Sequence, residues 1–173
     1  MKVAWCITGA EMFLNDVISL ILEIGPERAE VFTSKAAEEL LLRYKLMEKF
    51  AHFKVHPDEQ TSYFQVRRLF SGKFDIVVIA PCSTNTIAKM VHGISDNLVT
   101  NIFSQAGKIR LPIYILPSDT AEVMQFSTKS GKTHILYLRE IDKENLRKLK
   151  NFEGVKVLDS FISFRNAVIE AIL

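Results

Sequence analysis

The sequence predicts an α/β protein, a three-layer doubly wound parallel sheet of about six strands, folded as a single domain over residues 1–173. Three observations predict it. Short apolar, β-branched runs alternate with helix-period segments along the whole chain, as a parallel sheet covered on both faces requires. The run 75–80, Asp-Ile-Val-Val-Ile-Ala, is apolar almost throughout, which is the composition of a strand buried on both faces rather than on one. Several such runs also stop abruptly at Gly, Pro or a small hydroxyl residue that then opens a helix.

Residues 2–8 form the first strand, and Gly9-Ala10 breaks it before an amphipathic helix over 11–24 that carries Phe13, Val17, Leu20 and Ile21 on one face. Gly25-Pro26 ends that helix. Residues 29–33 read as a second strand, after which Ser34 is an N-cap for a helix opening at Lys35, with Glu38 and Glu39 near its positive end. Residues 47–60 carry no clear period. A helix is expected over 64–70, before Gly72, and then the strand 75–80. Helices follow near 84–92 and 96–106, with a fourth strand over 112–116. Residues 133–138 and 155–158 read as the fifth and sixth strands of a Rossmann-like sheet, separated by a charged helix over 143–150 and followed by a closing helix to Leu173. No repeat, low-complexity tract or linker divides the chain.

Composition narrows the classes of function. With 48% hydrophobic and 24% charged residues the chain can bury a substantial core, and a formal charge of +2 with bases and acids interspersed does not make a nucleic-acid surface. Cys6 and Cys82 stand far apart without a CxxC spacing, so no disulfide framework or metal–thiolate set is expected, and both read as reduced thiols. His52 and His56 lack acidic or thiol partners at metal spacing, so no metal site is expected. No segment approaches a membrane span and the start does not resemble a secretion signal, which together predict a cytoplasmic location.

In an open sheet of this kind, ligands sit beyond the carboxyl ends of the strands where the strand order reverses. Three segments fall at such ends: Thr8-Gly9-Ala10-Glu11, Thr33-Ser34, and 81–86, Pro-Cys-Ser-Thr-Asn-Thr. Each places small or hydroxyl residues at a strand-to-helix junction, where free backbone N–H groups and the helix dipole favour an anion. Gly9 continues into neither GxGxxG nor GxxxxGK[ST], so a single phosphate, as in a mononucleotide, fits better than a dinucleotide. Ser83 or Thr84 would also cap the helix carrying Ile87, Ala88, Met90 and Val91, giving these hydroxyls a structural use beside the ligand one.

The segment 81–86 with its trailing Lys89, Gly93 and Asp96-Asn97-Leu98 resembles the FMN-binding flavoproteins that include cysteine decarboxylases, flavin prenyltransferases and archaeoflavoproteins. The Thr33-Ser34-Lys35-Ala36-Ala37 segment and Lys108-Ile-Arg110-Leu-Pro112 are similar to the prenyltransferases, whereas residues 1–5, 7–10 and 115–119 are similar to the archaeoflavoprotein and dihydromethanopterin reductase branch. The resemblance implies an FMN held largely by its phosphate. Thr8, Gly9, Ala10 and Glu11 match the family's first phosphate loop, although Glu11 replaces a small residue, and its charge repels a phosphate unless the side chain turns away. Ser34 matches a second hydroxyl, Ser83, Thr84, Asn85 and Thr86 the central loop, with Asn85 against the ring system, and Arg110 a basic residue near the cofactor. His56, before Pro57, is a candidate for the family's catalytic histidine, and Cys82 reads as a small buried side chain.

The decarboxylases' substrate clamp and the prenyltransferases' R-E-T-P-L-H-like run are both missing from residues 117–124, Pro-Ser-Asp-Thr-Ala-Glu-Val-Met. The resemblance therefore implies an FMN-dependent oxidoreductase, a reductase or shuttle between a ferredoxin-like low-potential donor and an iron-sulfur flavoprotein or pterin acceptor. Cysteine decarboxylase or flavin prenyltransferase activity is the alternative. It also implies a homotrimer, or a higher assembly of trimers, with the flavin at a subunit boundary.

Overall fold

A computed structural model describes residues 1–58, 62–127 and 131–173. In chain order the elements are β1 (Val3–Ile7), α1 (Leu14–Ile24), β2 (Ala29–Thr33), α2 (Lys35–Arg43), β3 (Lys54–His56), α3 (Ser62–Arg67), β4 (Ile76–Cys82), α4 (Thr84–Val91), α5 (Leu98–Lys108), β5 (Ile113–Pro117), β6 (Val123–Ser127), β7 (Thr133–Tyr137), α6 (Glu140–Lys150), β8 (Val155–Val157) and α7 (Phe161–Ile172). Six strands pair in parallel in the order β3-β2-β1-β4-β5-β8. The order reverses between β1 and β4, which brings the loops after these two strands side by side at the carboxyl end of the sheet.

Helices cover both faces. Every residue of β1, β2 and β4 is buried, as the near-continuous apolar composition of these strands demands. On one face Trp5, Val31 and Val78 pack with Val17 and Ile21 of α1 and with Phe164 and Val168 of α7. Trp5 meets Phe164 edge to face at 5.9 Å, and its indole N–H donates to the Ala80 carbonyl at 3.1 Å, so its one polar atom is satisfied in the core. On the other face Cys6, Phe32, Val77 and Ile79 pack with Ile87 and Met90 of α4 and with Leu98 and Ile102 of α5.

Three expectations need correction. The helix after β1 begins at Leu14 rather than at residue 11, because Phe13 takes a left-handed backbone (φ 63°) and residues 11–13 form a turn. The illegible stretch holds a strand, β3, which joins β2 in parallel through Glu30 opposite Lys54 and Phe32 opposite His56. Residues 133–138 are not part of the parallel sheet: β7 pairs antiparallel with β6 as a separate two-stranded sheet. Only five residues separate Ser127 from Thr133, enough for a hairpin and too few for the crossover that parallel pairing requires. The total of six strands in the main sheet survives because β3 takes the place assigned to β7.

Candidate functional site

The loops after β1 and β4 are locked together by one hydroxyl. Thr8 Oγ1 donates to the Pro81 carbonyl at 2.8 Å and accepts from the Ser83 backbone N–H at 2.9 Å, while the Thr8 N–H reaches the same carbonyl at 3.2 Å. Gly9 stands against the first turn of α2, where a Cβ would lie 2.5 Å from the Ala36 Cβ, so only glycine permits this approach. Ser34 caps α2 through the Ala37 N–H at 3.2 Å, and Ser83 caps α4 through the Thr86 N–H at 3.3 Å. Ser83 Oγ also lies 3.0 Å from Thr86 Oγ1. The capping roles are therefore real, and they leave the first-turn N–H groups of Thr84 and Asn85 without an intrahelical acceptor, pointing out of the sheet end with the positive pole of α4.

A cavity of about 310 Å³ opens here, bounded by Gly9, Ala10, Glu11, Met12, Ser83 and Thr84, by Ser118 and Asp119 after β5, and by Met124, Gln125 and Leu136 of the β6–β7 hairpin. Its volume lies at the lower end of the roughly 300–1,000 Å³ range of small-molecule pockets. Ser118, buried, donates from its backbone to the Cys82 carbonyl at 2.9 Å and from its hydroxyl to Asp119 at 3.1 Å. Sequence reasoning did not place Ser118, Asp119 and the hairpin residues in the site. For Ser118 the signal was available, since it follows the fourth predicted strand as Gly9 follows the first.

The expected residues distribute unevenly. Gly9, Ala10, Glu11, Ser83 and Thr84 line the cavity, whereas Thr8 and Thr86 are buried beneath it and spend their hydroxyls on the loops. Asn85 is exposed on the first turn of α4, outside the cavity lining. Glu11 turns away from the loop: its carboxylate accepts the Tyr44 hydroxyl at 2.9 Å, and giving up that hydrogen bond holds the Tyr44 phenol above its ordinary pKa. Cys82 is buried, and burial pushes its thiol well above the ordinary range, which disfavours a reactive thiolate.

Arg110 and His56 do not join the cavity within the chain. Arg110 occupies a left-handed turn (φ 57°) just before β5, at the amino end of the sheet, so the five residues of β5, about 16 Å of strand, separate it from Ser118. His56 ends the edge strand β3, stacked on Phe32 at 4.6 Å, with Nε2 3.0 Å from the buried Glu30 carboxylate. Burial outweighs that carboxylate and the net effect lowers the His56 pKa, so the imidazole is neutral near pH 7 and donates to Glu30. Arg68 at 2.7 Å, Lys73 and Lys2 complete the charge around Glu30, making His56 one member of a structural ion cluster. Among the described residues no group of three or more His, Cys, Asp or Glu is arranged to hold a metal ion, and no helix is long and apolar enough to cross a membrane.

Residues 1–171 match the family model described as Flavoprotein. A dihydromethanopterin reductase (acceptor) of Methanosarcina mazei is 32% identical over 68% of this chain and 55% of its own length; the chain spans about half the length of the dihydromethanopterin reductases it matches. A flavin prenyltransferase UbiX of Methanocaldococcus jannaschii is 31% identical over 96% of this chain and 82% of its own. Among solved structures, Burkholderia xenovorans DmrB in complex with FMN, described as a cubic protein cage for redox transfer, is 35% identical, with a TM-score of 0.90 over 99% of this chain and 94% of its own.

Proposed function

The chain belongs to the Flavoprotein family, and from that premise we propose that it is an FMN-dependent oxidoreductase passing electrons between a ferredoxin-like donor and an iron-sulfur flavoprotein or pterin acceptor. The observation that carries this reading is the cavity at the reversal of strand order, where the loops after β1 and β4 present an uncommitted helix N-terminus beside Gly9. Those groups fit a phosphate. The Thr84 and Asn85 N–H groups, the Gly9–Ala10 loop and the Ser34 hydroxyl, whose oxygen caps α2 while its proton stays available, would hold the phosphate, with Asn85 turned to the polar edge of the ring. The bound flavin supplies the redox chemistry, and the protein's part is to anchor it and to control its surroundings. The cavity walls fit that division: among the described residues they hold no histidine, cysteine or lysine.

The same reading extends to assembly. The β6–β7 hairpin walls the cavity with Met124 and Leu136 yet leaves Val123, Ile135 and Tyr137 exposed on its other face, an apolar surface suited to another copy of the chain. The cage named for DmrB supports a higher assembly, which we take to be built from trimers with each flavin at a subunit boundary. Arg110 would then act on a flavin only across such a boundary.

The prenyltransferase relative keeps a second reading in view, modification of the flavin or decarboxylation of a cysteinyl substrate. One experiment separates the two. The purified protein, titrated anaerobically with a low-potential donor and followed by its flavin spectrum, is expected to bleach and then to regain colour on addition of a dihydropterin or an iron-sulfur flavoprotein. Colourless protein that refuses FMN, or carbon dioxide released from a cysteinyl substrate without net electron input, overturns the redox assignment.

A further inference from the structure

Glu11 poses an electrostatic problem at the phosphate site: it follows Gly9–Ala10 directly, and its carboxylate would repel a dianionic ester if the side chain pointed into the loop. Its side chain has two places to go. One is the cavity between the β1 and β4 loops; the other is a neighbouring hollow of about 410 Å³ between α1 and the end of α2, lined by Leu14, Asn15, Tyr44, Leu46 and Glu11 itself. Glu11 is the residue shared by both, so it forms the wall between them. Its Oε1 accepts the hydroxyl proton of Tyr44 at 2.9 Å, a contact made across 33 residues of sequence.

Tyr44 is itself held in place. It ends α2, its N–H donating to the Leu40 carbonyl at 3.0 Å, and its ring packs on the core beside α1. The residue that follows, Lys45, turns the chain through a left-handed backbone (φ 54°). Ser34 and Tyr44 are the two caps of α2, so one helix of nine residues, Lys35–Arg43, carries a phosphate-side hydroxyl before its start and the partner of Glu11 after its finish.

We propose that Tyr44 is a positioning residue for the flavin phosphate: its hydroxyl draws the Glu11 carboxylate into the neighbouring hollow and so removes a negative charge from the anion loop. This rests on the FMN reading above. It gives the phenol a role that no residue of the cavity itself supplies, and it accounts for how an acidic residue is tolerated in a phosphate loop.

The test is a double-mutant cycle on the full chain, with FMN and riboflavin affinities measured by flavin fluorescence at low ionic strength. Tyr44→Phe is expected to weaken FMN by roughly tenfold, the scale of one unscreened like charge brought near a phosphate, and to leave riboflavin unchanged because riboflavin carries no phosphate. Glu11→Gln is expected to bind FMN at least as tightly as the unmodified protein, and adding Tyr44→Phe to it is expected to cost nothing further. The FMN loss should also shrink in 1 M salt, as screened repulsion requires. Equal losses for FMN and riboflavin, or a loss that persists when Glu11 is already Gln, overturn the proposal, since either outcome reports damage to packing rather than charge. Unchanged FMN affinity in Tyr44→Phe overturns the proposal alone, whereas unmodified protein that binds no FMN overturns the flavin reading and this proposal together.

Discussion

β4 and β7 are both short apolar strands, and they live in opposite surroundings. All seven residues of β4 are buried between two layers of helices, while all five of β7 are exposed, Tyr137 to 71%. An isolated two-stranded hairpin is at best marginal in water. β4 is thus stabilised by its own chain, whereas β6–β7 leaves Val123, Ile135 and Tyr137 uncovered by it, and the cavity sits at the seam between the two regimes. Hydrophobicity announces both strands equally. What covers each one decides whether it is core or interface.

The largest expected effect breaks this contrast most directly. Ile79→Ala, deep in β4, should cost about 2–5 kcal/mol in a denaturant titration of dissociated protein, whereas Ile135→Ala should stay within about 0.5 kcal/mol. In sedimentation the order should invert, with Ile135→Ala shifting the assembly and Ile79→Ala leaving it intact where folded. Comparable folding costs for the two would show that the hairpin belongs to the core.

A smaller effect comes from the one buried carboxylate of the strands flanking β1. Burial pushes the Glu30 pKa up, but hydrogen bonds from Lys73 and His56 and the charge of Arg68 outweigh it and hold the group down at about 2. Its stabilisation is therefore fully present above the unfolded carboxyl value near 4.5 and is lost as pH falls through about 2. His56 acts in the same direction, because its lowered pKa makes the unfolded chain take up the proton first below about 6.5. Glu30→Gln should remove Glu30's share of the loss between pH 4.5 and 2 in acid-unfolding curves, leaving that of Asp142, and cost about 1–3 kcal/mol at neutral pH, the surrounding cations keeping part of their water.

The smallest effect tests the amino end of the same sheet. Arg110→Gly relieves a left-handed backbone and should raise stability by about 0.5 kcal/mol in thermal unfolding. FMN affinity of dissociated protein should not change. A loss of affinity there would bring Arg110 into its own chain's site and erase the distinction between the two ends of β5.

Much of this organisation was legible in the sequence, and the misses have physical causes. β4 announces itself because both of its faces are apolar, and the loops after β1 and β4 because Gly9 and the 83–86 hydroxyls interrupt apolar runs. β3 was illegible because it is three residues long and opens on exposed Lys54, with too little alternation to register. β7 reads as a strand, but periodicity carries no partner, so the antiparallel pairing with β6 was invisible without weighing the short connection. Arg110 precedes β5, and in a parallel sheet the residues before a strand stand at the end away from the ligand, so its distance from the cavity within one chain was implied by its place in the sequence. The same rule pointed to Ser118, which follows that strand. Glu11 is the clearest case of information the sequence lacks, because its hydrogen bond from Tyr44 spans 33 residues and no local pattern encodes it.

The double duty of the Thr8 hydroxyl carries a kinetic consequence. Because Oγ1 ties the Pro81 carbonyl and the Ser83 amide together through the chain's own groups, the conformational entropy of these turns is surrendered while the polypeptide folds. A phosphate ester that binds there, as proposed, would meet preorganised loops, and its association rate should follow diffusion and charge steering rather than any slow rearrangement of the main chain.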